Sequence, residues 1–91
     1  MARVFLTREA RSNFDDLPKN LQVPVENVLT DIEADPNSAG KELLGHFKGI
    51  WSARVGNYRI LYANEGSRRS PRVVILAINH RGVVYRQRRR R

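Results

Sequence analysis

Between Ile50 and Ala63 two alternating runs meet at a Gly-Asn pair, and few folds can hold that pattern. With Gly56 and Asn57 as the central residues of a two-residue turn, the chain doubles back as an antiparallel hairpin. Val55 then pairs with Tyr58, Arg54 with Arg59, Ala53 with Ile60, Ser52 with Leu61 and Trp51 with Tyr62. One face carries Trp51, Ala53, Val55, Tyr58, Ile60 and Tyr62. The other carries Ser52, Arg54, Arg59 and Leu61. A slip of one residue would mix apolar and charged side chains on both faces, so the register is strongly specified.

The rest of the chain supplies what such a hairpin packs against. Arg3 to Leu6 reads as a first strand, and Thr7 as a helix N-cap. Ala10, Phe14 and Leu17 form one helical stripe up to Pro18. Leu21, Val25, Val28, Leu29 and Ile32 form a second, ending at Asp35-Pro36. Pro24 lies either in the first turn of this second helix or at a kink within it. Pro36 to Gly49 reads as loop, with Asn37-Ser38-Ala39-Gly40, Gly45 and Gly49 as breakers. Asn64 to Pro71 is a polar loop. Arg72 to Asn79 is apolar on both parities, the pattern of an inner strand covered at least partly on both faces. Val83-Val84-Tyr85 reads as one more short strand. The fold class is α+β: an N-terminal strand and a two-helix hairpin on one face of a small, mainly antiparallel sheet.

At 91 residues this is one small domain, assigned to residues 1–85, with a basic tail at 86–91 expected to be disordered. The absence of Cys excludes disulfides, a thiol nucleophile and thiolate metal ligation. Two histidines, His46 and His80, are too few for a His-only zinc site. No run is apolar enough for a membrane span, and the N-terminus does not read as a signal peptide. A cytoplasmic protein with no metal, cofactor or membrane partner is the expectation.

Charge is distributed unevenly. Residues 1–45 hold 5 basic and 8 acidic groups, whereas residues 46–91 hold 12 basic groups and Glu65 alone. The halves are therefore −3 and +11, which points to a polyanion on the C-terminal half. The hairpin register sharpens this, because it sets Arg54 against Arg59. Like charges directly opposite on a sheet are destabilising, and a phosphate between them would turn repulsion into paired charge-assisted contacts. The plainer alternative is that both side chains splay into water. Asn79-His80-Arg81 closes the inner strand and can bring His80 or Arg81 towards the same surface, with Tyr85 available to stack on a base or to pack. His46 has no comparable setting.

These residue types suit RNA cleavage without a metal. RNA carries its own nucleophile, the 2′-hydroxyl. The reaction needs a base, positive charge on the phosphorane, and an acid for the leaving 5′-oxygen. Arginine suits the charge-stabilising task and is a poor base, since guanidinium pKa values exceed ~12. His80 could serve as base or acid, as histidine titrates near neutrality. Glu42 is a second, weaker carboxylate candidate. Without a good base, positioning and electrostatics remain.

The run Gly49-Ile50-Trp51-Ser52-Ala53-Arg54-Val55-Gly56-Asn57-Tyr58-Arg59-Ile60-Leu61-Tyr62, then Val73 to Ile78, His80-Arg81 and Tyr85-Arg86, resembles the RelE/ParE toxin superfamily, and within it the RelE-type mRNA interferases. The resemblance spans nearly the whole chain except the tail. It implies a type II toxin that cuts mRNA on the ribosome and is neutralised by a cognate antitoxin. It implies catalytic roles for Arg54, Arg59 and Arg81, with Arg59 stabilising the phosphate and Tyr85 orienting or stacking on a base. His80 joins this set, with Lys48 and Arg86 as RNA-binding residues. The chain departs from the pattern at Ser52, where one type of member has lysine, and at Arg54, where the base is a lysine. The Arg81-to-Tyr85 gap is also shorter, and Glu42 is only near the loop Glu of a related branch. Two other classes remain: a ParE-like inhibitor of DNA gyrase, and a non-catalytic RNA-binding module.

Overall fold

The hairpin forms in the register that its alternation dictates. In the structure, a computed structural model, the described residues are 2–84 apart from Lys48 and the side chain of His46. Expectations for Lys48, Tyr85, Arg86 and the rest of the tail lie outside them. Strands β3 (Ile50–Val55) and β4 (Tyr58–Gly66) pair antiparallel, with Arg54 opposite Arg59 and Trp51 opposite Tyr62. Gly56 has φ 58° and Asn57 is not in the left-handed region, so glycine takes the one turn position where a side chain would be strained.

Around this hairpin lie β1 (Arg3–Leu6), α1 (Arg8–Asp15), α2 (Lys19–Ala34), the short α3 (Pro36–Ala39), β2 (Lys41–Glu42) and β5 (Pro71–His80). The sheet order is β1-β5-β4-β3-β2. Only β1 against β5 is parallel. The helices cover one face. Ala10, Leu17, Val25 and Ile32 meet Ala53, Val55, Ile60, Tyr62, Val73, Ile75 and Ile78 in the main core. Each fully buried Val, Leu or Ile contributes about 1.5–3 kcal/mol.

The double parity of β5 has a specific cause. Leu61 pairs with Ala77 but Tyr62 pairs with Ile75, so Leu76 is an extra residue in a bulge. Val73, Ile75 and Ile78 consequently face the helices, whereas Leu76 and Ala77 both belong to a second, smaller cluster with Leu61 and Val84 on the opposite face. Beyond Ile75, β5 has outrun β1, whose last pair is Leu6 with Ile75. Helix α1 takes over as neighbour. The Thr7 hydroxyl donates to the Leu76 carbonyl at 3.2 Å while accepting from Ala10 N–H as the α1 N-cap. Asn13 Oδ1 accepts from Ile78 N–H at 3.0 Å. Two polar side chains thus satisfy backbone groups that a longer β1 would have paired.

Of the two places open to Pro24, the structure puts it inside the helix and not in its first turn: α2 begins at Lys19 and runs through Pro24. The lost N–H bond falls between exposed Asn20 and Pro24, where water can replace it. Elsewhere the structure differs from expectation, and β4 extends to Gly66, into the segment expected to be loop. The segment 36–49 is not all loop, since it holds α3, β2 and a single 3₁₀ turn at Gly45–Phe47. Residues 81–84 are helical instead of extended. The partner strand β4 starts at Tyr58, opposite His80, so a strand continued past His80 would have no ladder to join. The helical turn instead gives the Arg81 N–H to Asn57 O and the Gly82 N–H to His80 Nδ1, and buries Val84 against Leu61 and Ala77.

Candidate phosphate-binding groove

The face away from the helices is where the charged half of the hairpin emerges. Alternation carries two cross-sheet rows onto it. One is Lys41, Ser52, Leu61 and Ala77, and the next is Arg54, Arg59 and Asn79. Ser38, Ala39, Gly40, Lys41, Leu43, Ser52, Arg54 and Arg59 line an open groove of about 430 Å³. Three of these side chains are cationic and none is a carboxylate. Such a lining suits an anion with several oxygens, and two guanidinium groups offer forked donors to it.

The groove has a rigid wall. Gly40 approaches the sheet so closely that a Cβ there would lie 2.6 Å from the Ser52 carbonyl oxygen and 2.7 Å from the Tyr62 hydroxyl. The same hydroxyl donates to the Pro36 carbonyl at 2.7 Å, and the Tyr62 ring stacks on Trp51 at 6.2 Å. Tyr62 has no exposed surface. Burial, and secondarily the charge of Asp35, push its phenol up to about 12. A neutral, donating phenol therefore ties α3 and β2 to the hairpin, and this places Lys41 in the groove. Arg59 is steadied on the other side, as Nη1 donates to the carbonyls of Gly56 at 3.1 Å and Tyr58 at 2.9 Å.

Of the residues singled out from the sequence, Arg54 and Arg59 stand side by side in the groove. Arg81 begins the terminal helical turn, and its N–H donates to Asn57 O at 2.9 Å, so its backbone abuts the turn joining the two arginine strands. Its side chain is exposed. His80 does not share the groove face. It pairs with Tyr58 on the helix side of the sheet and meets that ring edge-on at 5.8 Å, with Nδ1 accepting from Gly82 N–H at 3.3 Å. Asn79 is the β5 residue opposite Arg59. Glu42 alternates away from Lys41, opposite Trp51, and is not among the groove-lining residues. Sequence reasoning missed Lys41, which sits directly across from Ser52. Among the described residues no cluster of three or more His, Asp or Glu could hold a metal. No helix among them is long and apolar enough to cross a membrane.

Helices cover one face of this small five-stranded sheet and a basic groove opens on the other, and comparison with known proteins places a chain of this fold among the toxins of type II toxin-antitoxin systems. The family model described as ParE toxin of type II toxin-antitoxin system, parDE, matches residues 4–85. Toxin RelG of Mycobacterium tuberculosis is 36% identical over 85 residues, covering 92% of this chain and 95% of that protein. Toxin RelE of the same organism is 33% identical over 84 residues, covering 91% and 84% respectively. The solved toxin-antitoxin complex RelBE2 from M. tuberculosis superimposes with a TM-score of 0.77 at 33% identity, covering 88% of this chain and 98% of its own. The isolated E. coli RelE toxin shares the fold, with a TM-score of 0.73 at 16% identity over 96% and 94%. The chain belongs to the ParE toxin family of type II toxin-antitoxin systems, in the RelE/ParE superfamily.

Proposed function

We propose that this toxin is a ribosome-dependent endoribonuclease that cleaves mRNA. The observation carrying this reading is the direct opposition of Arg54 and Arg59 in one groove with Lys41 and no carboxylate lining it. The 2′-hydroxyl loses its proton to water as its oxygen attacks the adjacent phosphorus, and the bond to the 5′-oxygen breaks as that oxygen takes a proton from water. The products are a 2′,3′-cyclic phosphate and a 5′-hydroxyl. Negative charge grows on the equatorial oxygens of the phosphorane, and that is where fixed cations are most effective. Arg59 is pre-oriented by the turn carbonyls, so it reorganises little when the charge develops. Arg81, beside the same turn, is assigned to the leaving-group side, and Tyr85 to the base. With His80 on the helix side, catalysis rests on charge stabilisation and on the ribosome's alignment of the RNA. No cofactor enters the scheme.

The curated relatives being RelG and RelE toxins supports this assignment, and solved RelBE complexes support a cognate antitoxin as the silencing partner. Mapping mRNA 5′ ends after brief induction tests the reading. Cuts clustered inside translated frames are expected. A second reading on the same fold is inhibition of DNA gyrase by binding, which the resemblance to ParE toxins leaves open. Induction of DNA damage with intact mRNA would select it and refute cleavage.

A further inference from the structure

The groove uses Lys41, Arg54 and Arg59, and a second basic cluster on the same face is left over. The register sets Arg3 opposite Arg72 across β1 and β5, and Glu65 opposite Arg72 across β4 and β5. Phe5 stands opposite Val74, which pairs with Ala63. Alternation from Leu61 through Ala63 to Glu65 puts Arg3, Phe5 and Arg72 on the face away from the helices. With Gly66, Ser67 and Ser70 they line a cleft of about 380 Å³. The Arg3 guanidinium lies 5.6 Å from the Phe5 ring centroid, and Phe5 is 43% exposed. Arg68 and Arg69 are exposed on the adjoining turn. Among the described residues the ion pair formed by this cluster is that of Arg72 with Glu65, at 3.3 Å.

A second like-charged cross-strand pair beside a half-exposed ring is offset only in part, by Glu65 on Arg72 and by the Phe5 ring against Arg3. It matches a ligand that alternates anionic groups with flat apolar ones. Single-stranded RNA does so. A duplex hides its base faces, and an acidic peptide would leave the ring unused. We infer that this cleft is a second contact for single-stranded RNA, with phosphates at Arg3 and Arg72 and a base against Phe5. It lies on the face that would hold the scissile phosphate. From Arg59 to Glu65 is six residues of β4, about 20 Å at ~3.3 Å per residue. A strand of several nucleotides would span both. That the strand is the cleaved mRNA rests on the ribonuclease reading, whereas the binding site does not.

The test is binding of an uncleavable 2′-O-methyl 12-mer RNA to the full chain across a salt series. Replacing both Arg3 and Arg72 with alanine is expected to weaken binding about tenfold or more near 0.1 M salt. The slope of log affinity against log salt should shrink by about 1.4, or ~0.7 per phosphate. Phe5→Ala should weaken binding at least about fivefold with the slope unchanged, and Phe5→Trp should retain it. Thermal melts confirm that each variant is folded, and Arg3→Gln with Arg72→Gln repeats the measurement with bulk preserved. Unchanged affinity in the arginine variants or in Phe5→Ala overturns the site, as does a wild-type chain that does not bind the 12-mer. Loss of binding to a polyglutamate probe with RNA affinity intact assigns the cleft to a protein partner and also overturns it. If the variants behave as expected but wild type cuts no mRNA on ribosomes, the cleft stands and the ribonuclease reading alone fails.

Discussion

Replacing Arg54 with glutamine should make the protein more stable and less active at once. Arg54 is exposed, and its cross-strand partner is Arg59. Directly opposed residues have Cβ atoms ~4.5–5.5 Å apart, and long side chains can spread their charges to about 7 Å. At that distance in water two like charges repel by about 0.6 kcal/mol, less once salt screens them. Glutamine keeps the length and the polarity and removes this term, so a gain of ~0.2–0.6 kcal/mol is expected. For a chain of this size that is a rise of roughly 1–4 °C in Tm, seen at low ionic strength and fading near 0.5 M salt. Cleavage on ribosomes should fall ~10²–10³-fold, the usual effect of losing one transition-state donor. The assays are a thermal melt at two salt concentrations and a single-turnover cleavage measurement. A variant that melts lower than wild type, or one that cleaves at an undiminished rate, would refute the argument that these arginines are paired for an anion and not for the fold.

Other outcomes follow from the groove and its wall. Lys41→Ala should reduce cleavage at least tenfold with little change in Tm, because Lys41 is exposed and adds charge to the groove from across Ser52; ribosome-dependent kinetics check it. Gly40→Ala should cost about 1–3 kcal/mol by urea denaturation, since the added methyl would collide with the Ser52 carbonyl and the Tyr62 hydroxyl. Tyr62→Phe should cost about 1–2 kcal/mol at neutral pH by leaving the Pro36 carbonyl without its donor. The phenol's pKa is raised in the fold from 10 to about 12, so its contribution is intact below pH 10 and is lost as pH climbs towards 12. Over that window wild type should lose about 2–3 kcal/mol more than Tyr62→Phe, measured by denaturation at pH 9 and above.

Much of this molecule is legible because alternation carries register. Residues 51–60 alternate between an apolar face and one carrying Ser52, Arg54 and Arg59, so pairing Arg54 with Arg59 follows from counting outward from Gly56-Asn57. Thr7 announces α1 in the same way, as a side-chain oxygen placed before a helical stripe. Lys41 was not legible. A strand of two residues has no period to detect, and its place depends on Gly40 touching Ser52 and Tyr62 from a distant part of the chain. His80 was misplaced for a related reason. Val73 to Ile78 is apolar on both parities, and the bulge at Leu76 resets which parity faces the helices.

Composition and periodicity by themselves determined a small cysteine-free α+β fold and its hairpin register. These rest on nearest-neighbour geometry, the twofold repeat of a strand and the 3.6-residue repeat of a helix. The tertiary structure alone decided that Lys41 joins the arginines, that His80 does not, and that Arg3, Phe5 and Arg72 share a cleft. Each of those depends on which strand lies beside which, and a bulge, an edge strand and a helix standing in for a missing strand set those neighbours through contacts remote in sequence.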